Sequence, residues 1–86
     1  MSDVTYYVAM PFLIDADGSP VAGAAEECQS SAAALRRAEI LAHGAGHIGA
    51  VAFSRVSSFD LEQSGRKHVL RRFGQVPDEY LKETTS

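Results

Sequence analysis

The residues best suited to chemistry in this chain are one cysteine and three histidines: Cys28, His43, His47 and His68. His43 and His47 stand four apart in AHGAGH, the spacing at which a helix presents two zinc ligands on one face. That geometry needs an unbroken helix, and Gly44 and Gly46 predict the end of one instead. The spacing therefore reads as punctuation. His43 falls in the last helical turn, where an imidazolium suits the carbonyl end of the dipole, and His47 opens the next strand. His68 is remote in sequence, and nothing ties it to the pair. Cys28 precedes the expected helix by two or three residues, a position that can activate a thiol. Glu26 and Glu27 beside it oppose a thiolate, and the role of a small buried apolar residue suits it better. One cysteine permits no internal disulfide and no multi-cysteine zinc framework. The residues call for no metal and no cofactor.

Three further stretches carry possible site chemistry. DADG, at Asp15 to Gly18, resembles the opening of a calcium loop, but Pro20 occupies the place that such a loop reserves for glycine. A hairpin turn rich in Asp and Gly is the better reading. In GAGHIGA the glycines follow a helix and open a strand, the reverse of a phosphate cradle. GRKHVLRR holds Arg66, Lys67, Arg71 and Arg72, four of the eight Lys and Arg residues. On a regular strand Lys67 and Arg71 share one face and Arg66 and Arg72 the other, so no single cationic row forms. Charge on an edge strand ordinarily blocks edge-to-edge pairing. With Arg36 and Arg37 the same residues supply an alternative, nucleic-acid binding. The net charge of −3 argues against general attraction to nucleic acid or an anionic membrane. Ser54, in AFSRV, lacks the glycines of a nucleophile elbow, and no base is tied to a nucleophile. The chain reads as non-catalytic, with a small enzyme or ligand binder using Cys28 or the histidines as a further alternative.

The elements that must position these residues follow from periodicity. Residues 4 to 14, VTYYVAMPFLI, alternate: Tyr6, Val8, Met10, Phe12 and Ile14 share the more apolar face, taken as the inner one. Pro11 has no amide proton, which predicts a bulge or a missing neighbour there. A weaker strand is expected within residues 21 to 29. Residues 31 to 45 form the clearest helix, capped by Ser30 or Ser31. Ala34, Leu35, Ala38, Leu41, Ala42 and Ala45 make its apolar stripe, with Arg36, Arg37, Glu39 and His43 opposite. IGAVAFSRVSSF, residues 48 to 59, is strand-like, with Val51 and Phe53 on one face and Ala50, Ala52 and Ser54 on the other. Residues 60 to 65 suggest a hairpin connection. RKHVLRRFG then returns as a fourth strand, with a helical turn at Val69 to Phe73 as the competing reading. In the tail, Val76, Tyr80 and Leu81 are placed to dock, and residues from about 82 to 86 are expected to fray.

The order is β-β-α-β-β, an α+β, two-layer fold. A four-stranded antiparallel sheet carries one helix on one face, with spatial order 2-1-3-4. At 86 residues this is one domain, able to remove roughly 60–70 % of its unfolded surface from water. Tyr7, Ala9, Leu13, Ala50 and Ala52 are expected to line the sheet face without helical cover, an apolar surface suited to a second copy or another protein. The start of the chain carries neither the positive charge nor the apolar run of a signal peptide. With no 18-residue apolar window, a cytoplasmic location is expected.

The runs SSAAALRRAEILA, GAVAFSRV and RRFGQVPDEYL resemble small bacterial proteins that pair an alanine-rich helix with an A-V-A-F-S-R strand and a late F-G-x-V-P segment. The resemblance spans about two thirds of the chain, from Ser30 onward. It implies a cytoplasmic bacterial domain of the β-β-α-β-β kind and brings no functional residue with it. The leading expectation is an interaction module, a homodimer formed through the open sheet face or an edge strand.

Overall fold

A computed structural model describes residues 3–58 and 66–81. Strand β1 (Asp3–Ile14) leads through a tight turn to β2 (Pro20–Ala22) and β3 (Glu26–Cys28). Helix α1 (Ser31–Ala42), β4 (His47–Ser58) and β5 (Arg66–Gly74) follow, and a 3-10 turn covers Asp78–Tyr80. The sheet is antiparallel, in the order β2-β1-β4-β5, with β3 also paired to β1. The expected fold and strand order are thus present, with the second strand split in two. Residues 66–74 form a strand, not a helical turn. The connection expected at 60 to 65 and the fraying expected at 82 to 86 lie outside the described residues.

Local chemistry explains each boundary. The Asp15 side chain accepts hydrogen bonds from the Asp17 and Ser19 amides, both at 2.9 Å, and Gly18 completes the turn at φ +85°. Ser30 caps α1 by accepting from the Ala33 amide at 3.1 Å. The helix ends at Ala42, with His43 as its cap, three residues earlier than the apolar stripe suggests. Ala45 therefore lies beyond the helix and is exposed. Gly46, at φ +80°, makes the left-handed reversal into β4.

The edge strand breaks where Pro11 predicts that it should. β3 pairs with Tyr7 to Ala9 and β2 with Phe12 to Ile14. Residues 23 to 25 bow out between them, and the Gly23 amide donates to the Pro11 carbonyl at 2.8 Å. The proline nitrogen faces this edge and has nothing to donate, so a continuous ladder is impossible.

The two sheet faces are filled in opposite ways, and their assignment corrects the expectation from sequence. Ala9, Ala50 and Ala52 lie under α1, packed against Ala34, Ala38 and Leu41, with the five alanines fully buried. Tyr7, Cys28, Leu35, Leu70 and Phe73 surround them. Small side chains on both layers let the helix approach the sheet closely, so the alanine face of the strands, not the bulkier one, meets the alanine face of the helix. The face expected to be inner carries Met10, Phe12, Val51, Phe53 and Val69. It is covered in part by the chain after β5, whose Val76, Tyr80 and Leu81 dock there as the tail residues predict. The Tyr80 ring meets Phe12 edge-on at 4.9 Å between centroids. This strap leaves the sheet at a tight corner where Gly49 and Gly74 face each other. A side chain on Gly49 would collide with the Gln75 carbonyl, and one on Gly74, at φ +72°, with the Ile48 carbonyl.

Candidate functional site: the strapped sheet face and its cationic edge

The expected chemical residues resolve into local structural roles. The His43 Nδ1 lies 3.0 Å from the Glu39 carbonyl, and the His47 Nδ1 approaches the Leu41 carbonyl. Both rings therefore finish α1, each on a different carbonyl, and they form no ligand pair. Gly44 serves this arrangement sterically, because a Cβ there would strike the His47 ring. His68 sits on β5 opposite Ser54, away from both. No group of three or more His, Cys, Asp or Glu side chains able to hold a metal exists among the described residues. Cys28 is half-buried against the alanine core, its Sγ 3.7 Å from the Glu26 carbonyl.

One ion pair was not foreseen. Arg37 donates from Nε and an Nη to both carboxylate oxygens of Glu26, at 2.8 and 3.1 Å, tying α1 to β3. The hydrogen bonds from Arg37 hold the Glu26 carboxyl below its usual range, and Glu26 raises Arg37 in turn. Both groups are about two-fifths exposed, so the pair is a modest surface clasp. Its signal in the sequence is faint, an acid and a base eleven residues apart on two different elements.

The cationic segment is rearranged by a bulge. Ala52 pairs with Arg71 and Phe53 with Val69, which leaves Leu70 as an extra residue in β5. Lys67 and Arg72 thereby share the strapped face, whereas Arg71 lies on the helix side, a correction to the regular-strand alternation. Lys67 sits 5.3 Å over the Phe53 ring and donates to the Tyr80 carbonyl at 2.9 Å, pinning the strap. Arg71 lies 5.4 Å over the Phe73 ring. Arg72 borders a shallow depression of 470 Å³ with Ile48, Gly74, Val76 and Pro77. Arg66 enters through its register opposite Val56. Arg36 is exposed on α1, and Arg37 is engaged with Glu26. The five of these cations whose side chains are described are spread over both layers and form no single basic patch among themselves.

The residues expected at an interface are mostly elsewhere. Ala9, Ala50 and Ala52 have no exposed surface, Tyr7 packs with them, and Leu13 is half-buried beside Gly23. The surface left outside the strap lies on the other parity of β1. Val4 and Tyr6 are each 39 % exposed, and Val8 is half-buried beside them, whereas Met10 packs against the strap's cluster. Ile14 extends the same parity to the end of the strand at 46 %. The composition of the helix held the missing signal: a stripe built from alanine matches the strand face built from alanine, which exposes the other. Among the described residues no helix is long and apolar enough to cross a membrane. No family model, no curated protein and no solved structure matches the chain.

Proposed function

We propose that this protein is a non-catalytic interaction module that pairs with a second copy of itself through the sheet face opposite α1. The observation that carries the reading is the apolar strip Val4, Tyr6 and Val8, which the strap leaves outside its cover. The strip runs along β1, an inner strand, and it bears no charge of its own. Arg55 and then Lys67 follow Tyr6 on one side in the same transverse row, a polar rim beside an apolar centre. The chain measures 43 × 25 × 17 Å. Its broad side is thus large enough for the roughly 800 Å² that each partner of a standard interface loses. A chain this small gains a second apolar layer by such pairing. The lone Cys28 is compatible with a reducing cytoplasm.

The choice of face over edge has a charge argument behind it. β5 carries four cations and no acid, so two copies joined edge to edge at β5 would set like charges opposite each other. Sedimentation equilibrium tests the reading. The wild-type chain is expected to dimerise, and Tyr6→Lys to be monomeric with an unchanged circular dichroism spectrum. A wild-type chain that stays monomeric up to about 0.1 mM overturns the proposal.

A further inference from the structure

We propose that the outer edge of β5 receives an extended acidic segment of another protein as an added strand, read by the pattern apolar–any–acid–acid. Among the described residues β5 pairs only with β4. It is nine residues long, whereas the opposite edge is divided into two three-residue strands interrupted at Pro11. Beyond the bulge at Leu70, the β5 side offers a continuous row from Arg71 to Gly74. The Pro11 carbonyl accepts from Gly23 on the far edge, so alternation across the row Pro11–Ala50–Phe73 turns the Phe73 groups toward β4 and those of Arg72, with the Gly74 amide, away from it.

Charge selects the occupant. Half of the Lys and Arg residues of a chain with net charge −3 fall on this strand, which has no acid of its own. Arg71 and Arg72 are exposed, and neither has a carboxylate partner among the described residues. An acidic strand is attracted, and a second β5 is repelled.

Geometry selects the pattern. Arg71 stands on the helix side of the sheet and Arg72 on the strapped side. Successive residues of an added strand also point to opposite faces. Two consecutive acids therefore meet both arginines, while acids spaced by one residue place both carboxylates on one face and miss one arginine. Gly74 lies two positions beyond Arg72 on the same face and presents no side chain. An apolar residue opposite it would cover the 470 Å³ depression between Ile48, Val76 and Pro77. On an antiparallel strand that residue comes two positions before the first acid.

Three labelled peptides of equal composition test this on the full chain by fluorescence anisotropy. One carries Phe-Thr-Glu-Glu within a Thr/Val strand, the second spaces its glutamates by one residue, and the third moves the Phe to the far end. The first is expected to bind about tenfold more tightly than the second, the difference made by one charge-assisted contact. The third should be weaker than the first, and the gap between the first two should close in Arg71→Gln/Arg72→Gln. Amide exchange should slow at Arg72 and Gly74 when the first peptide binds. Equal binding of all three, no binding of the first, or its full displacement by a thymidine oligonucleotide overturns the proposal. The site lies in the row of Met10 and Val51, four residues along β1 from Tyr6. Tyr6→Lys should bind the first peptide as wild type does, so failure of one reading is visible independently of the other.

Discussion

The two faces of the sheet reach burial by opposite means. Under α1 the contact is built from Ala9, Ala34, Ala38, Ala50 and Ala52, small side chains that allow a regular rod to approach the strands closely. Under the strap it is built from Phe12, Val51, Val76 and Tyr80, large side chains that fill the gap below an irregular segment. A regular helix tolerates small partners because its own surface is uniform. An irregular cover touches the sheet at a few points and needs bulk to reach it. The helix face should therefore suffer most from added volume, and the strapped face from removed volume.

Four measurements probe that contrast. Phe12→Ala removes the largest fully buried side chain of the strapped face and should cost about 3–5 kcal/mol, close to the whole stability of a domain this small. Urea unfolding that shows less than 1 kcal/mol lost, on the scale of about 1–3 typical for milder core changes, would place the core elsewhere. Ala38→Leu adds bulk where helix and sheet nearly touch, with an expected loss of about 1–3 kcal/mol. If the melting temperature is unchanged, the helix does not lie as close as its alanines imply. Val76→Ala should lower stability by about 1–2 kcal/mol, or roughly 4–8 °C per kcal/mol in melting temperature. It should also increase amide exchange in the strap at Tyr80 and Leu81 while α1 stays protected; equal loss of protection in both regions would argue that the faces unfold as one.

The smallest effect belongs to the Arg37–Glu26 clasp on the helix side. The folded carboxyl of Glu26 titrates below its ordinary value of 4.5, so the unfolded chain takes up a proton first as pH falls. The contribution is present above that ordinary value and disappears as pH drops through the lower folded one. Between neutral pH and about pH 3 the wild type should lose slightly more melting temperature than Arg37→Gln. Identical pH profiles would mean that the pair adds nothing in solution.

Much of the architecture was legible because it is written in local terms. Ser30, Asp15, Gly18 and Gly46 act through hydrogen bonds and φ values within a few residues of themselves. Pro11 announced an irregular edge, a bulge or a missing neighbour, because a ladder cannot pass a residue without a donor. Val76, Tyr80 and Leu81 could be marked as docking residues because little else in the tail is apolar. What was not legible is relational. Alternation in β1 shows that Tyr6, Val8 and Met10 share a face, but not which cover lies on it. Here the helix chose the face of smaller residues. The extra residue at Leu70 leaves no mark in composition, yet it moves Lys67 and Arg72 onto a common side. For the candidate site, the cations of β5 were identifiable, whereas their division between the layers and the apolar strip on β1 required the fold.

The corner at Gly49 and Gly74 has a consequence for how this sequence can change over time. Each glycine is closed to any side chain by the backbone of the other's neighbour. A substitution at either forces the corner open and swings Val76 and Tyr80 off Phe12. The two positions therefore behave as one heritable unit, although twenty-four residues lie between them in the chain. A lineage that lost one would lose the constraint on the other and soon the aromatic pair as well. In descendants without the strap, Phe12, Val51 and Val69 would join Tyr6 on a wider apolar surface, so drift at a single glycine would uncover much of this sheet face.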